Sequence, residues 1–266
     1  MLDYIKSKYI VEIIFGNLKS KKKLIMIKHN KKLINRLGIT EKDFQAEILK
    51  ICKEKYKLDL NDLNTEQLNL RCKNITKEKL YYLNRIEFKY LKKLDLAGNS
   101  LAEIDTLNNQ NFQLLEILYL ENNEIADINS LEKFKLEKLK ILNLEVNRIS
   151  NINVFEKVNL ESLKELFLKH NNISDISVFG KAKFDCLELL DLLGNEISNI
   201  NIFEKASFKN LKFLDLRNNK ISDISVFKKI KFEKLEALYL ISNPIYEKKY
   251  SLIINNLKTN IKNFRI

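Results

Sequence analysis

The chain has 266 residues, 45% of them hydrophobic and 31% charged, with a formal net charge of +12 and a single proline. That balance fits an elongated globular domain with a small helical lobe, and no stretch is apolar enough to read as a membrane span. Cys52, Cys72 and Cys186 are odd in number, widely spaced and free of CxxC pairing, which excludes a disulfide frame or a zinc site and points to reduced thiols in the cytoplasm.

The chain opens with MLDYIKSKYIVEIIFG, whose Asp3, Lys6, Lys8 and Glu12 interrupt the apolar run and make it a poor signal peptide. Residues 1–57 follow a helical period: Ile5, Tyr9, Ile10, Ile13 and Ile14, then Leu24, Ile27, Leu33, Ile34 and Leu37, then Phe44, Ile48 and Ile51. Gly38 suits a C-cap, and Thr40 with Asp43 suits a capping box, so three helices are expected. Two readings stand for this segment. It is a cap on whatever follows, or, through Ile10, Ile13, Ile14, Leu18, Leu24, Ile27 and Leu33, it resembles an F-box. That resemblance implies a subunit that recognises substrates for a ubiquitin ligase and binds a small adaptor. The Leu-Pro opening of that family is absent, and Lys6-Ser7-Lys8 stands nearby instead.

Positive charge concentrates in the same region. Residues 1–90 hold 21 Lys+Arg and 11 Asp+Glu, a net of +10, and the remainder of the chain only +2. The patch Lys19, Lys21, Lys22 and Lys23 is its densest part. A basic cluster can hold nucleic acid, an anionic membrane or an acidic protein, but no interleaved aromatics or nucleic-acid motif accompany it, and a solvated lysine surface is the favoured reading.

Residues 58–90 read as a degenerate capping unit, with Leu68 and Leu70 in a strand-like LxL, and Leu80, Leu83 and Phe88 behind them. From Leu91 the pattern becomes regular. Asn99, Asn123, Asn147, Asn171, Asn195, Asn219 and Asn243 recur every 24 residues, and each closes LxxLxLxxN, from LKKLDLAGN at Leu91 to LEALYLISN at Leu235. Such a period means a solenoid of stacked units, each burying its apolar side against its neighbours. Behind each asparagine lie apolar positions such as Ile173, Ile176, Phe179 and Phe184, spaced by three to five residues, which suits a tight helical or 3₁₀ return. The asparagine is polar yet set in an apolar unit, so its amide is expected to bond the backbone of its own and the adjacent loop.

These seven copies over 91–245 are similar to intracellular leucine-rich repeat proteins. The resemblance implies an α/β solenoid, a curved array with a parallel concave β-sheet and helical or 3₁₀ convex returns. Beyond Asn243-Pro244, residues 246–266 carry Tyr246, Tyr250, Ile253 and Leu257 on one helical face, and resemble the helical cap that ends many such arrays, including those similar to protein phosphatase 1 regulators.

Within LxxLxLxxN the leucines of the strand turn inward, so positions three, five and seven point to the opposite, concave side. The apolar ones, Ile117, Tyr119, Ile141, Phe167, Leu189, Leu193, Phe213, Tyr239 and Ile241, are expected to project toward solvent, together with Asp215 and Arg217. The charged members number three cations and six anions, a net of −3. A contiguous exposed apolar stripe marks an interaction site, and aromatics supply anchors. The expected partner is a protein, and the expected role is a scaffold or adaptor. Catalysis is not expected. His29 and His170 have no nucleophile or metal-ligand spacing beside them, and Asp95, Asp191 and Asp215 share a repeat position with no acid partner or pocket, so neither cofactor nor metal is called for.

Overall fold

In the computed structural model the described residues are 65–266, apart from 84–87, 108–111, 207 and 231, together with a few positions between 46 and 60. The basic patch Lys19, Lys21, Lys22 and Lys23, His29 and the F-box-like helical pattern lie outside the described residues. Among the positions before 65, Cys52 is fully buried, and Leu49 and Leu60 pack against the same apolar core that runs through the repeats. Burial pushes the Cys52 thiol up to about 11. Cys72 and Cys186 are free and exposed.

Each repeat contributes one three-residue strand spanning positions three to five of its motif: β2 (Lys93–Asp95), β3 (Ile117–Tyr119), β4 (Ile141–Asn143), β5 (Glu165–Phe167), β6 (Leu189–Asp191), β7 (Phe213–Asp215) and β8 (Ala237–Tyr239). The degenerate unit adds β1 (Gln67–Asn69) in front, and β9 (Asn263–Arg265) follows at the far end. All nine lie parallel in sequence order, so the fold is a curved solenoid with one open sheet. The register is strict, position three on position three and five on five, as in Glu165 beside Leu189 and Phe167 beside Asp191. At about 4.8 Å per strand the sheet runs about 38 Å.

The returns are 3₁₀ turns, for example Asn153–Glu156, Ser177–Gly180, Asn201–Glu204 and Ser225–Lys228. Spacings of three suit this, because i and i+3 eclipse in a 3₁₀ turn and both can face inward. Phe155, Phe179 and Phe203 are almost fully buried, and each reaches a ring of the next repeat: Phe155 to Phe184 and Phe179 to Phe208 at 5.8 Å, and Phe203 to Phe232 at 6.4 Å. The first unit has a helix, α1 (Lys77–Leu83), in place of the 3₁₀ turn.

The asparagines join one unit to the next. Asn171 Nδ2 donates to the Leu144 carbonyl of the preceding repeat at 2.9 Å and to its own Leu168 carbonyl at 3.0 Å, while Oδ1 accepts the Ile149 N–H at 2.9 Å. The same three bonds recur at Asn147, Asn195, Asn219 and Asn243. At the N-terminal end Asn99 bonds Leu70 and Ile75, so the degenerate unit joins the ladder although it is two residues longer than the regular repeats and lacks the asparagine itself.

The residue before each of these asparagines is left-handed: Gly98, Asn122, Val146, His170, Gly194, Asn218 and Ser242 all have φ between 52° and 68°. Gly194 suits this twice over, since a Cβ there would also collide with the His170 ring of the preceding repeat. Val146 does not suit it, being β-branched at φ 53°.

The C-terminal segment departs from the expected helical cap. The helix α2 is confined to Ser251–Asn260 and buries Ile253, Ile254 and Leu257. Tyr246, expected on its packed face, is 65% exposed and precedes a 3₁₀ turn at Glu247–Tyr250. After α2, Ile261, Phe264 and Ile266 repeat the inward spacing of LxxLxL with other apolar residues, and Phe264 takes the sheet position beside Leu238. The sheet therefore has nine strands where the asparagine count alone suggests seven, because a strand needs inward apolar residues but not a ladder asparagine.

Two outcomes follow for stability. Asn171→Ala removes a buried amide and leaves Ile149 N–H and two carbonyls without it; each such loss costs about 1 to 3 kcal/mol, so thermal unfolding of the variant is expected well below wild type. Val146→Asn relieves a left-handed β-branched residue that is 39% exposed, and is expected to raise stability by about 1 kcal/mol in chemical denaturation.

Candidate functional site

The short strands place positions three, five and seven in columns on the concave side. Ile117, Tyr119, Ile141, Phe167, Leu189, Leu193, Phe213, Tyr239 and Ile241 all lie in those columns, and only Ile241, at 40%, is exposed. The others are half-buried, which corrects the expectation of side chains projecting freely into solvent. The reason is the strict register: side chains about 4.8 Å apart on a concave surface lean on one another. Phe213 and Tyr239 meet edge to face at 5.4 Å, Arg217 lies over the Tyr239 ring at 5.2 Å, and Lys93 lies over Tyr119 at 5.0 Å.

Asp215 and Arg217 serve each other. Asp215 is 1% exposed, and its two carboxylate oxygens accept Arg217 Nε–H at 3.0 and 2.9 Å and the Arg217 backbone N–H at 3.0 Å. At the opposite end Arg71, which the degenerate unit supplies at position seven, bonds Asp95 at 3.0 Å and pairs also with Glu121. Sequence reasoning missed Arg71 because its unit lacks the asparagine. The arginine nonetheless stands two residues beyond Asn69, as Arg217 stands two beyond Asp215. Lys169 reaches Glu145 at 3.5 Å. The added strands place Arg71 and Arg265 in the same columns, so five cations stand against six anions, a net of −1, less acidic than the −3 of the seven regular repeats.

Asp191 differs from its column mates Asp95 and Asp215. It accepts the Leu193 N–H at 3.0 Å, and no cation pairs with it among the described residues. Burial is the main cause that raises its pKa; the Leu193 hydrogen bond opposes this and the neighbouring Asp215 charge adds to it. Tyr119 is likewise raised, first by burial and then by Glu121 and Glu165. No group of three or more His, Cys, Asp or Glu side chains that could hold a metal occurs among the described residues.

The sequence of residues 209–264 matches the family described as Leucine Rich repeats (2 copies). With the seven motifs, the ladder and the parallel sheet, the chain is a leucine-rich repeat protein. The crystal structure of the internalin InlF from Listeria monocytogenes is similar in fold, with a TM-score of 0.62 at 20% identity, covering 96% of this chain; the match spans 64% of the length of that internalin. Internalin C2 from the same species gives a TM-score of 0.50 at 23% identity, covering 76% of this chain and 83% of its own. No curated protein matches the sequence.

The state of Asp191 yields a pH test. Its folded pKa lies above the unfolded value of about 3.9, so the stability it contributes is full below about pH 4 and is lost as pH rises through the folded pKa. Asp191→Asn keeps an acceptor for Leu193 without the charge. It is expected to melt above wild type at pH 7, with the gain vanishing near pH 3; a lower melting temperature at pH 7 would overturn this account.

Proposed function

We propose that the protein is a non-catalytic interaction module that binds a protein partner on its concave sheet. The observation that carries this reading is the row Ile117, Ile141, Leu189 and Phe213 at position three, interrupted in the middle by Glu165, with Tyr119, Phe167 and Tyr239 beside it, all on the sheet face opposite the inward leucines. An apolar row of this length on a stiff sheet offers a preformed surface, so little conformational entropy is lost on binding. Phe167, Phe213 and Tyr239 are the anchors, and Arg217, held by Asp215 and Tyr239, is a rigid polar contact beside them. The module acts as a scaffold or adaptor by display alone. Its exposed free thiols at Cys72 and Cys186 support a reducing, cytoplasmic setting. Burial of Cys52 in the repeat core supports the cap reading of the segment that carries it.

The test compares wild type with a Phe167→Ser, Phe213→Ser double variant as baits in native lysate at physiological salt. Both rings are half-buried and outside the inward core, so the variant is expected to keep its cooperative melt at a modestly lower temperature while losing the retained protein. Unfolding of the variant, or retention of the same protein, would count against the face.

A further inference from the structure

The charges of the concave face are not evenly satisfied. Arg71 serves Asp95 and Glu121, Lys169 serves Glu145, and Arg217 serves Asp215. Two carboxylates on the adjacent central strands β5 and β6 have no ion pair among the described residues: Glu165, and Asp191, which has one backbone N–H and only the through-space charges of Lys169 and Arg217. In the register of these strands Glu165 faces Leu189 and Phe167 faces Asp191, so anions and apolar side chains alternate around a square. Ile141 and Phe213 continue the apolar row on either side of it.

Half-desolvated carboxylates without an ion-pair partner cost free energy that an external donor would recover. The raised pKa of Asp191 agrees with this. The chain as a whole is +12, so these sites attract a cation against the overall charge. With a screening length of about 8 Å at physiological salt, the carboxylates of the face itself weigh most in what docks on it.

We propose that the partner enters the concave face as a basic segment, setting a lysine or arginine side chain against Glu165 and Asp191 with apolar side chains on Phe167 and Leu189 to either side. This deepens, and rests on, the concave-face reading. The anions select the cation, and the apolar corners exclude water from the pair, which strengthens it relative to an exposed ion pair.

The probe is an acetylated, amidated pentapeptide, Lys-Trp-Lys-Leu-Lys, titrated against the full chain beside its Glu-Trp-Glu-Leu-Glu counterpart. The protein has no tryptophan, so emission from the probe reports binding alone. Saturable binding of the lysine peptide only is expected, weakened about ten-fold or more by a Glu165→Gln, Asp191→Asn double variant that still melts cooperatively and no lower than wild type. Equal binding of both peptides, no binding of the lysine peptide, or indifference to the double variant overturns the proposal. Phe167→Ser separates the two readings. If both peptides bind alike and Phe167→Ser abolishes this, the concave face stands and its charge preference falls; if the lysine peptide survives both Phe167→Ser and the carboxylate variant, its site lies elsewhere and the proposal falls.

Discussion

The structure depends on one buried side-chain amide per repeat. A solenoid must turn its chain sharply after every strand, and each turn leaves backbone N–H and C=O groups in an apolar interior where water cannot reach them. The asparagine answers this with a donor pair and an acceptor at a fixed length. Nδ2 takes one carbonyl from its own strand end and one from the repeat before, and Oδ1 takes an N–H from that earlier repeat. Because every amide spans two units, the repeats are coupled at each step, across the 24-residue regular repeats and across the 26-residue first unit alike. The cost of the arrangement appears one residue upstream, where the turn demands a left-handed backbone from glycine, asparagine, histidine, serine and, least suitably, Val146.

Around this ladder the other interactions rank clearly. The inward leucines and the staggered phenylalanines supply the burial that makes stacking favourable, and the aromatic contacts at 5.8 to 6.4 Å run from repeat to repeat along the convex half. Rows of exposed ion pairs link neighbouring repeats as well, Lys140 with Glu116 at 2.7 Å, Lys212 with Glu188 at 2.6 Å, Lys181 with Glu156 at 3.1 Å. Pairs this exposed contribute at most about 1 kcal/mol each, so they tune solubility and spacing more than they hold the fold.

The concave face follows from the same register. Strands of three residues leave exactly one outward side chain at each end of the strand and one just beyond it, and strict alignment stacks them into columns whose members shield one another. Such a surface is rigid before any partner arrives. Within it the carboxylates fall into two kinds: Asp95 and Asp215 are buried and held by arginines, whereas Glu165 and Asp191 have no ion pair among the described residues. A chain selected for stability alone would neutralise both kinds, and the difference gives the middle of the face its chemical character.

The repeat architecture was legible because it rests on spacing. Inward leucines, the ladder asparagine and the 3₁₀ return each need a residue type at a fixed interval, and a strand of period two assigns the remaining positions to the other face without further information. Weak signals were readable in hindsight: Ile261, Phe264 and Ile266 keep the strand spacing in other apolar residues, and the glycines and asparagines before the ladder mark the left-handed turn. The tertiary structure alone decided what depends on neighbours 24 or more residues away. Arg71 reaching Asp95 and Glu121, the edge contact of Phe213 on Tyr239, the half-burial of the columns and the desolvation of Asp191 are all set by how far one repeat stands from the next and how the sheet curves. A sequence states which side chains share a column; pairing and desolvation depend on distances through space, which only the folded stack defines.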